Sequence, residues 1–323
     1  MRALPDHTVA RVLDTCLGVR GDETVVLLID DGTDPAVIAG LAVGLDQRNA
    51  RSRVVIVPRY DVPGSEPTPE AAQALLDADA CIELTSVFIG SNQARRRATD
   101  AGRRYLAMPG VTAQTFRLGG PYDVDFDALS ATTRTIAALW DTADTYRITT
   151  PAGTDLTGSI RGRKGRSLTG IARDPGTYMA PPDIESGTAP VESSSSGIVV
   201  IDADYLFMGP GPSAATSVLH LRDGQLIGTE GDEAQRLTEM IARCADPRMT
   251  NLAEVSLGLN PQGSVCAVAM ETESSLGSAH IAFGNSIAYG GTVNAVAHLD
   301  CVMRSATVYF DGKPRVVEGR VVT

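Results

Sequence analysis

Five side chains in the second half of the chain have the types and spacing to hold a divalent cation. His298 and Asp300 form an HxD pair in AVAHLDCVM; on a strand, residues two apart project from one face, so both can reach a single ion. His280 lies in GSAHIAFG, preceded by Glu271 and Glu273, which the same alternation puts on one face. Glu254 interrupts the apolar run NLAEVSLGLNP. A buried carboxylate there is costly unless a cation compensates it. Glu185, in MAPPDIESGTAPVES, is the fifth candidate, in a loop stiffened by flanking prolines. The donor set is purely nitrogen and oxygen, which suits Zn, Co or Mn. The chemistry such ions support is activation of a bound water against a polarised carbonyl. His220, in VLHLRDG, has no acidic company except Asp223 beside a turn, and reads as structural.

The elements around these residues follow from periodicity. The segments GIVVIDADYLF, SVLHLRDGQLIG, SVCAVAMETE and ATVYFDG alternate with the two-residue period of antiparallel strands, and YRITTPAGTDLTGSIRGRKG reads as a hairpin about Ala152–Asp155. One helix, near Asp232–Cys244, interrupts them. The first 140 or so residues instead alternate helices with continuous apolar strands. Helices are expected from Asp6 to Leu17, over 34–48, from Thr68 through Leu76, and from Phe126 to Thr142; strands are expected at 23–30, 53–58, 80–88 and 104–110. That pattern implies a parallel sheet covered on both faces. The expected fold is thus an open, mostly parallel α/β domain over 1–143, followed by a strand-rich α+β metal-binding domain over 144–323.

Composition excludes several classes. The chain has 323 residues, and 28 basic against 39 acidic side chains give a net charge of -11, a poor electrostatic match for nucleic acid or an acidic membrane. No apolar run approaches the roughly 20 residues of a membrane span, and the first residues lack a secretory pattern, so a cytoplasmic location is expected. The five cysteines are scattered and form no CxxC pair, so they read as packing residues rather than zinc ligands. No GxGxxG or GxxxxGK[ST] follows the first strand, which removes the nucleotide-binding loops. Asp30, Asp31 and Asp34 stand where open α/β sheets often take ligands, or simply in a solvated loop.

The order Glu185, Glu254 in AEVSLG, His280 in HIAFG and the closing His298-Leu299-Asp300 resembles the ligand order of the aminopeptidase T and aminopeptidase S type metallopeptidases. The resemblance covers about 175–315. It implies two divalent metals with a water between them, held by Glu185, Glu254, His280, His298 and Asp300, with Glu185 and Glu254 as candidate catalytic carboxylates. Three carboxylates and two neutral imidazoles would leave a net charge of +1 on two divalent ions, which a bound hydroxide would cancel. The family's tyrosine after the HIA segment has no aligned match, and Tyr289 lies two residues further on. The same half is also similar to 2,5-dihydroxypyridine 5,6-dioxygenase, an iron(II) enzyme. SSSSGIVVIDADYLF, LGLNP, Gly290-Gly291 and HLD carry that likeness, although the dioxygenase has a His in place of Glu254 and no counterpart of His280.

Three readings follow. The first is a metallohydrolase acting on an amide, peptide or related C–N bond with one or two divalent metals per chain. The second is a mononuclear iron(II) ring-cleaving dioxygenase, and the third is a non-catalytic relative stapled by its metal. The expected substrate is a small molecule or short peptide. The expected assembly is a homo-oligomer, at least a dimer, as relatives of both kinds imply.

Overall fold

The structure is a computed structural model and describes residues 3–322. Capping residues set the helices of the first sheet. Asp34 and Thr68 each accept a backbone N–H from the first turn of Pro35–Asp46 and Pro69–Asp77, with proline at the opening position. The strands Thr24–Ile29, Arg51–Ile56, Ala80–Glu83 and Arg104–Ala107 pair in parallel, as the apolar runs led one to expect. A fifth parallel strand, Tyr178–Met179, joins beside Arg104–Ala107. The helix expected from Asp6 begins there and widens to π geometry over Arg11–Cys16. A further helix, Gln93–Asp100, has three consecutive arginines and only Ala94, Ala98 and Thr99 buried, so no apolar stripe announces it in the sequence.

The chain forms two compact units, each discontinuous. Among the described residues one comprises 3–128, 168–183 and 261–263; the other comprises 129–167, 184–260 and 264–322. The second unit holds two antiparallel sheets, of eight and six strands. The expected hairpin is present as Thr145–Thr149 and Asp155–Ser159. Trp140 is fully buried and meets Phe310 edge to face at 4.7 Å.

One expected strand is not there. SVCAVAMETE contains the helix Ala269–Ser274. The Thr272 hydroxyl both donates to the Cys266 carbonyl, at 2.8 Å, and accepts from the Cys266 N–H, at 3.0 Å. These bonds close a turn that an extended chain could not make. Glu271 and Glu273 therefore do not share a strand face. Glu271 instead accepts from Ser264 Oγ at 2.7 Å.

In the first unit the loop aspartates are committed to structure. Asp30 is buried and accepts from Gly32 N, Ser86 N and Ser86 Oγ at 2.7–2.9 Å, while Asp34 accepts from both Ala36 N and Ala113 N at 2.8 Å. Asp31 pairs with Arg59. All five cysteines are free. No helix among the described residues is long and apolar enough to cross a membrane.

The same unit holds a fully buried carboxyl, Glu83, which accepts from Thr85 Oγ1 at 3.0 Å, Ile89 N at 2.7 Å and Tyr105 Oη at 2.8 Å. Burial pushes it up to about 7, against hydrogen bonds from Ile89, Tyr105 and Thr85. A folded-state value raised above the unfolded one favours the protonated form. Its contribution is complete below about pH 4 and is lost as pH rises through about 7, on the order of 3 kcal/mol. Glu83→Gln can keep these bonds and is expected to flatten stability between about pH 5 and about pH 8 in urea unfolding. Parallel losses in both proteins would acquit Glu83.

Candidate metal centre

The six-stranded sheet carries the candidate ligands on four adjacent strands. In spatial order these are His298–Met303, Ala279–Gly284, Leu252–Gly258 and Glu185–Thr188, all antiparallel to their neighbours. Register decides which side chains meet. Glu254 lies opposite Ala282, and Ala282 opposite Asp300; His280 lies opposite Ser256, His298 opposite Gly284, and Glu185 opposite Gly258. Cross-strand partners share a face and residues two apart share a face, so all five ligands project from one side. A register shift between Leu252 and Glu254 marks a bulge, the kind of irregularity that re-aims a side chain.

Small residues fill the positions between the ligands. Gly187 lies opposite Ser256, and a Cβ there would come within 1.6 Å of Ser256 Oγ. That hydroxyl donates a short hydrogen bond to Glu254 Oε1. Glycine at 187 thus lets the serine stand beside the central carboxylate and hold one of its oxygens.

Glu254 faces two histidines with two different oxygens. Its Oε1 lies 3.3 Å from His280 Nε2 and its Oε2 lies 2.8 Å from His298 Nε2. Glu185 Oε2 lies 3.0 Å from His280 Nε2, and Asp300 Oδ1 lies 3.2 Å from His298 Nε2. Three groups have ligand atoms within 4.8 Å of one another and could hold an ion: Glu185, Glu254 and His280; Glu254, His298 and Asp300; and Glu273, His280 and Asp300. All five residues expected from the sequence are brought together. Glu273 joins them from the helix Ala269–Ser274 rather than from a strand.

Two buried polar atoms test whether cations fit. A single Nε2–H on His280 cannot serve both Glu185 and Glu254, and Glu185 Oε2 has no hydrogen bond. Nδ1 of His280 has none either. With Glu185, Glu254 and His280 at 0–1 % side-chain exposure, such a cluster of carboxylates is costly unless positive charge compensates it. Divalent ions between these atoms answer both the orphaned oxygen and the charge. The second group is more open, with His298 at 18 % and Asp300 at 16 %. The Asn285 carbonyl lies 2.7 Å from His298 Nδ1; accepting its proton leaves Nε2 as the ligand atom, the usual support for a metal-bound imidazole.

Tyr289, which no spacing argument assigns, connects the two groups. Its hydroxyl donates to Glu185 Oε1 at 2.9 Å, and its ring stacks on His298 with centroids 5.4 Å apart and planes 9° apart. His220, read as structural, pairs with Glu230 on the neighbouring strand at 2.6 Å.

A parallel α/β sheet in one unit and antiparallel strands bearing a carboxylate–imidazole cluster in the other make up a fold shared with solved structures of a dihydroxypyridine dioxygenase and of AmpT. Within it, this chain belongs to the NicX family, 2,5-dihydroxypyridine 5,6-dioxygenase, whose model matches residues 6–323. A relative, 2,5-dihydroxypyridine 5,6-dioxygenase from Pseudomonas putida KT2440, is 24% identical over 331 residues, covering 94% of this chain and 92% of its own. The structure of 2,5-dihydroxypyridine dioxygenase from Pseudomonas putida KT2440 superposes with a TM-score of 0.79 at 20% identity, over 98% of this chain and 96% of that one. Wild-type AmpT from Thermus thermophilus superposes with a TM-score of 0.69 at 16% identity, over 98% of each chain. At these identities the two structures show a shared fold.

In the absence of cations the cluster holds protons in their place. Burial works to neutralise His280, but the charges of Glu185 and Glu254 outweigh it and hold the imidazole well above its usual range. His298 is raised likewise by Asp300 and Glu254 against burial. Burial raises Glu254 too, yet hydrogen bonds with His280 and His298 bring it down to about 2. A cation must therefore displace imidazole protons, so zinc binding to metal-free protein at about pH 7 is expected to release protons and to weaken as pH falls. Calorimetry in buffers of different ionisation heat measures the number. Heats that do not vary with buffer would mean the imidazoles were already neutral.

Proposed function

We propose that this chain is a metallohydrolase that cleaves the C–N bond of an amide, short peptide or related small molecule, with two divalent cations that Glu185, Glu254, His280, His298 and Asp300 would hold. The observation that carries this reading is the division of labour at Glu254, whose two oxygens face different histidines and so split the ligands into two triads. Divalent ions bound there would lower the pKa of a water and polarise the carbonyl under attack. Tyr289 holds Glu185 through Oε1, which leaves Oε2 to coordinate or to accept the water's proton. The more open His298 and Asp300 side is where a substrate carbonyl has room to approach.

A second reading is a mononuclear iron(II) ring-cleaving dioxygenase. Family membership across 6–323 supports it, as does the partly open triad of Glu254, His298 and Asp300. Non-haem iron oxygenases commonly use two histidines and one carboxylate on one ion. Here His280 and His298 fall in different groups among the described residues, which favours the first reading.

Elemental analysis of protein purified without chelators, beside His298→Ala, separates the two. The hydrolase reading expects about two equivalents of zinc, cobalt or manganese and amide hydrolysis that falls about 100-fold or more in the variant. One equivalent of iron, with oxygen uptake on hydroxypyridines and no hydrolysis, would sink it in favour of the dioxygenase.

A homo-oligomer, at least a dimer, belongs to the same reading. The edge strand Arg51–Ile56, with Val54 and Ile56 exposed, supports it as a surface that can pair. Light scattering that returned only the 33.9 kDa chain mass would exclude it.

A further inference from the structure

We infer that Arg163 and Arg166 are positioning residues that hold Tyr289 against Glu185 and His298. The tyrosine ends a short 3-10 turn, Ile287–Tyr289, capped by Gly290, and three successive carbonyls there accept hydrogen bonds from outside it. Arg166 Nη1 donates to the Ala288 carbonyl, the Ala189 N–H to the Tyr289 carbonyl at 3.1 Å, and Arg163 Nη1 to the Gly290 carbonyl at 2.6 Å. The two arginines thus grip the residues on either side of the tyrosine. The Arg166 guanidinium also lies 5.7 Å from the centre of the Tyr289 ring. Hydrogen bonds from a charged donor are stronger than neutral ones, and a cation over an aromatic face adds to them.

The arginines are themselves fixed. Their segment, RGRKGR, runs beside the strand Glu185–Thr188, where Thr188 Oγ1 donates to the Lys164 carbonyl at 2.9 Å and Ser186 Oγ to the Arg166 carbonyl at 2.8 Å. Gly165 N donates to Asp141 Oδ1 at 2.8 Å, and a Cβ at 165 would come within 2.2 Å of the Ala137 carbonyl oxygen, so glycine lets the segment lie close against that helix. Arg163 is 13% exposed and pairs with Glu192. The other oxygen of Glu192 accepts from Thr292 N at 2.8 Å and Thr292 Oγ1 at 2.9 Å, which ties down the chain beyond Gly290. Tyr289 needs this frame. Its targets stand on strands while it stands on a loop, and a functional side chain on a loop is held less closely unless its neighbours lock it.

The test uses the full-length protein with Arg163→Gln, Arg166→Gln, Arg166→Lys and Arg161→Gln. Arg161 stands on the same segment but is 75% exposed and pairs with Asp144, so it serves as the control. Chymotrypsin cuts after tyrosine, and the rate of cutting after Tyr289, read by mass spectrometry, reports release of the turn. Arg163→Gln and Arg166→Gln are expected to be cut there about tenfold faster than wild type. Arg166→Lys should be cut more slowly than Arg166→Gln, because it keeps a charged donor, and Arg161→Gln no faster than wild type. Cutting that rose equally at every other site would mean general loosening and would overturn the proposal.

Cobalt(II) affinity and visible absorption then show whether the arginines act through the tyrosine, an arm that rests on the cation centre proposed above. Arg166→Gln should weaken cobalt binding about tenfold and alter the absorption bands. Added to Tyr289→Ala, the same substitution should change neither further, since residues that act through one another are not additive. The same loss in both backgrounds, or cutting after Tyr289 unchanged in both Arg163→Gln and Arg166→Gln, would overturn the proposal and leave the cation reading intact. A wild type that bound no cobalt would overturn the cation reading, and cleavage alone would then decide whether the arginines hold the turn.

Discussion

The second unit is organised around a carboxylate that has no exposure to solvent and a different basic partner on each oxygen. Glu254 sits in Leu252–Gly258, a strand buried along its whole length, where an uncompensated charge is among the most expensive things a fold can contain. Much of its surroundings reads as an answer to that one demand. Ser256 holds one oxygen, two imidazoles flank the group, and neighbouring strands deliver further carboxylates. Such an arrangement is stable when positive charge occupies it, and protons or cations compete for the role.

Geometry on the sheet face follows from what is small. Large apolar side chains at Ala282, Ser256 or Gly187 would fill the space between ligands that register places side by side. The sheet buys room for chemistry by giving up core volume on that face, while the opposite face keeps Val255, Leu257 and Ile281 fully buried. Tyr289 then ties the two triads together from outside the strands, through a hydroxyl on one and a ring on the other.

The parts legible in the sequence are those with a local cause. The HxD pair and the isolated Glu254 could be seen because strand alternation is a two-residue property, and the parallel sheet could be seen because apolar runs and caps repeat. What escaped depends on distant partners. Glu273 could be noted ahead of His280 but not placed, because its segment alternates like a strand while bonds between Thr272 and Cys266 close it into a turn of helix. Tyr289 reaches Glu185 across 104 positions, which no spacing rule spans. Tyr178–Met179 is too short to show any period at all. Likeness of fold does not by itself choose the chemistry, since structures titled as a dihydroxypyridine dioxygenase and as AmpT share it.

The return of residues 168–183 to the first unit has a consequence for how the protein is made. Until Tyr178–Met179 has been synthesised, the strand Arg104–Ala107 lacks its outer neighbour and stands as an open edge, the feature most apt to pair with another nascent chain. By then the ribosome has already produced the hairpin Thr145–Thr149 and Asp155–Ser159 of the second unit. Vectorial synthesis cannot therefore complete one unit before beginning the next, and the two must mature in overlapping order.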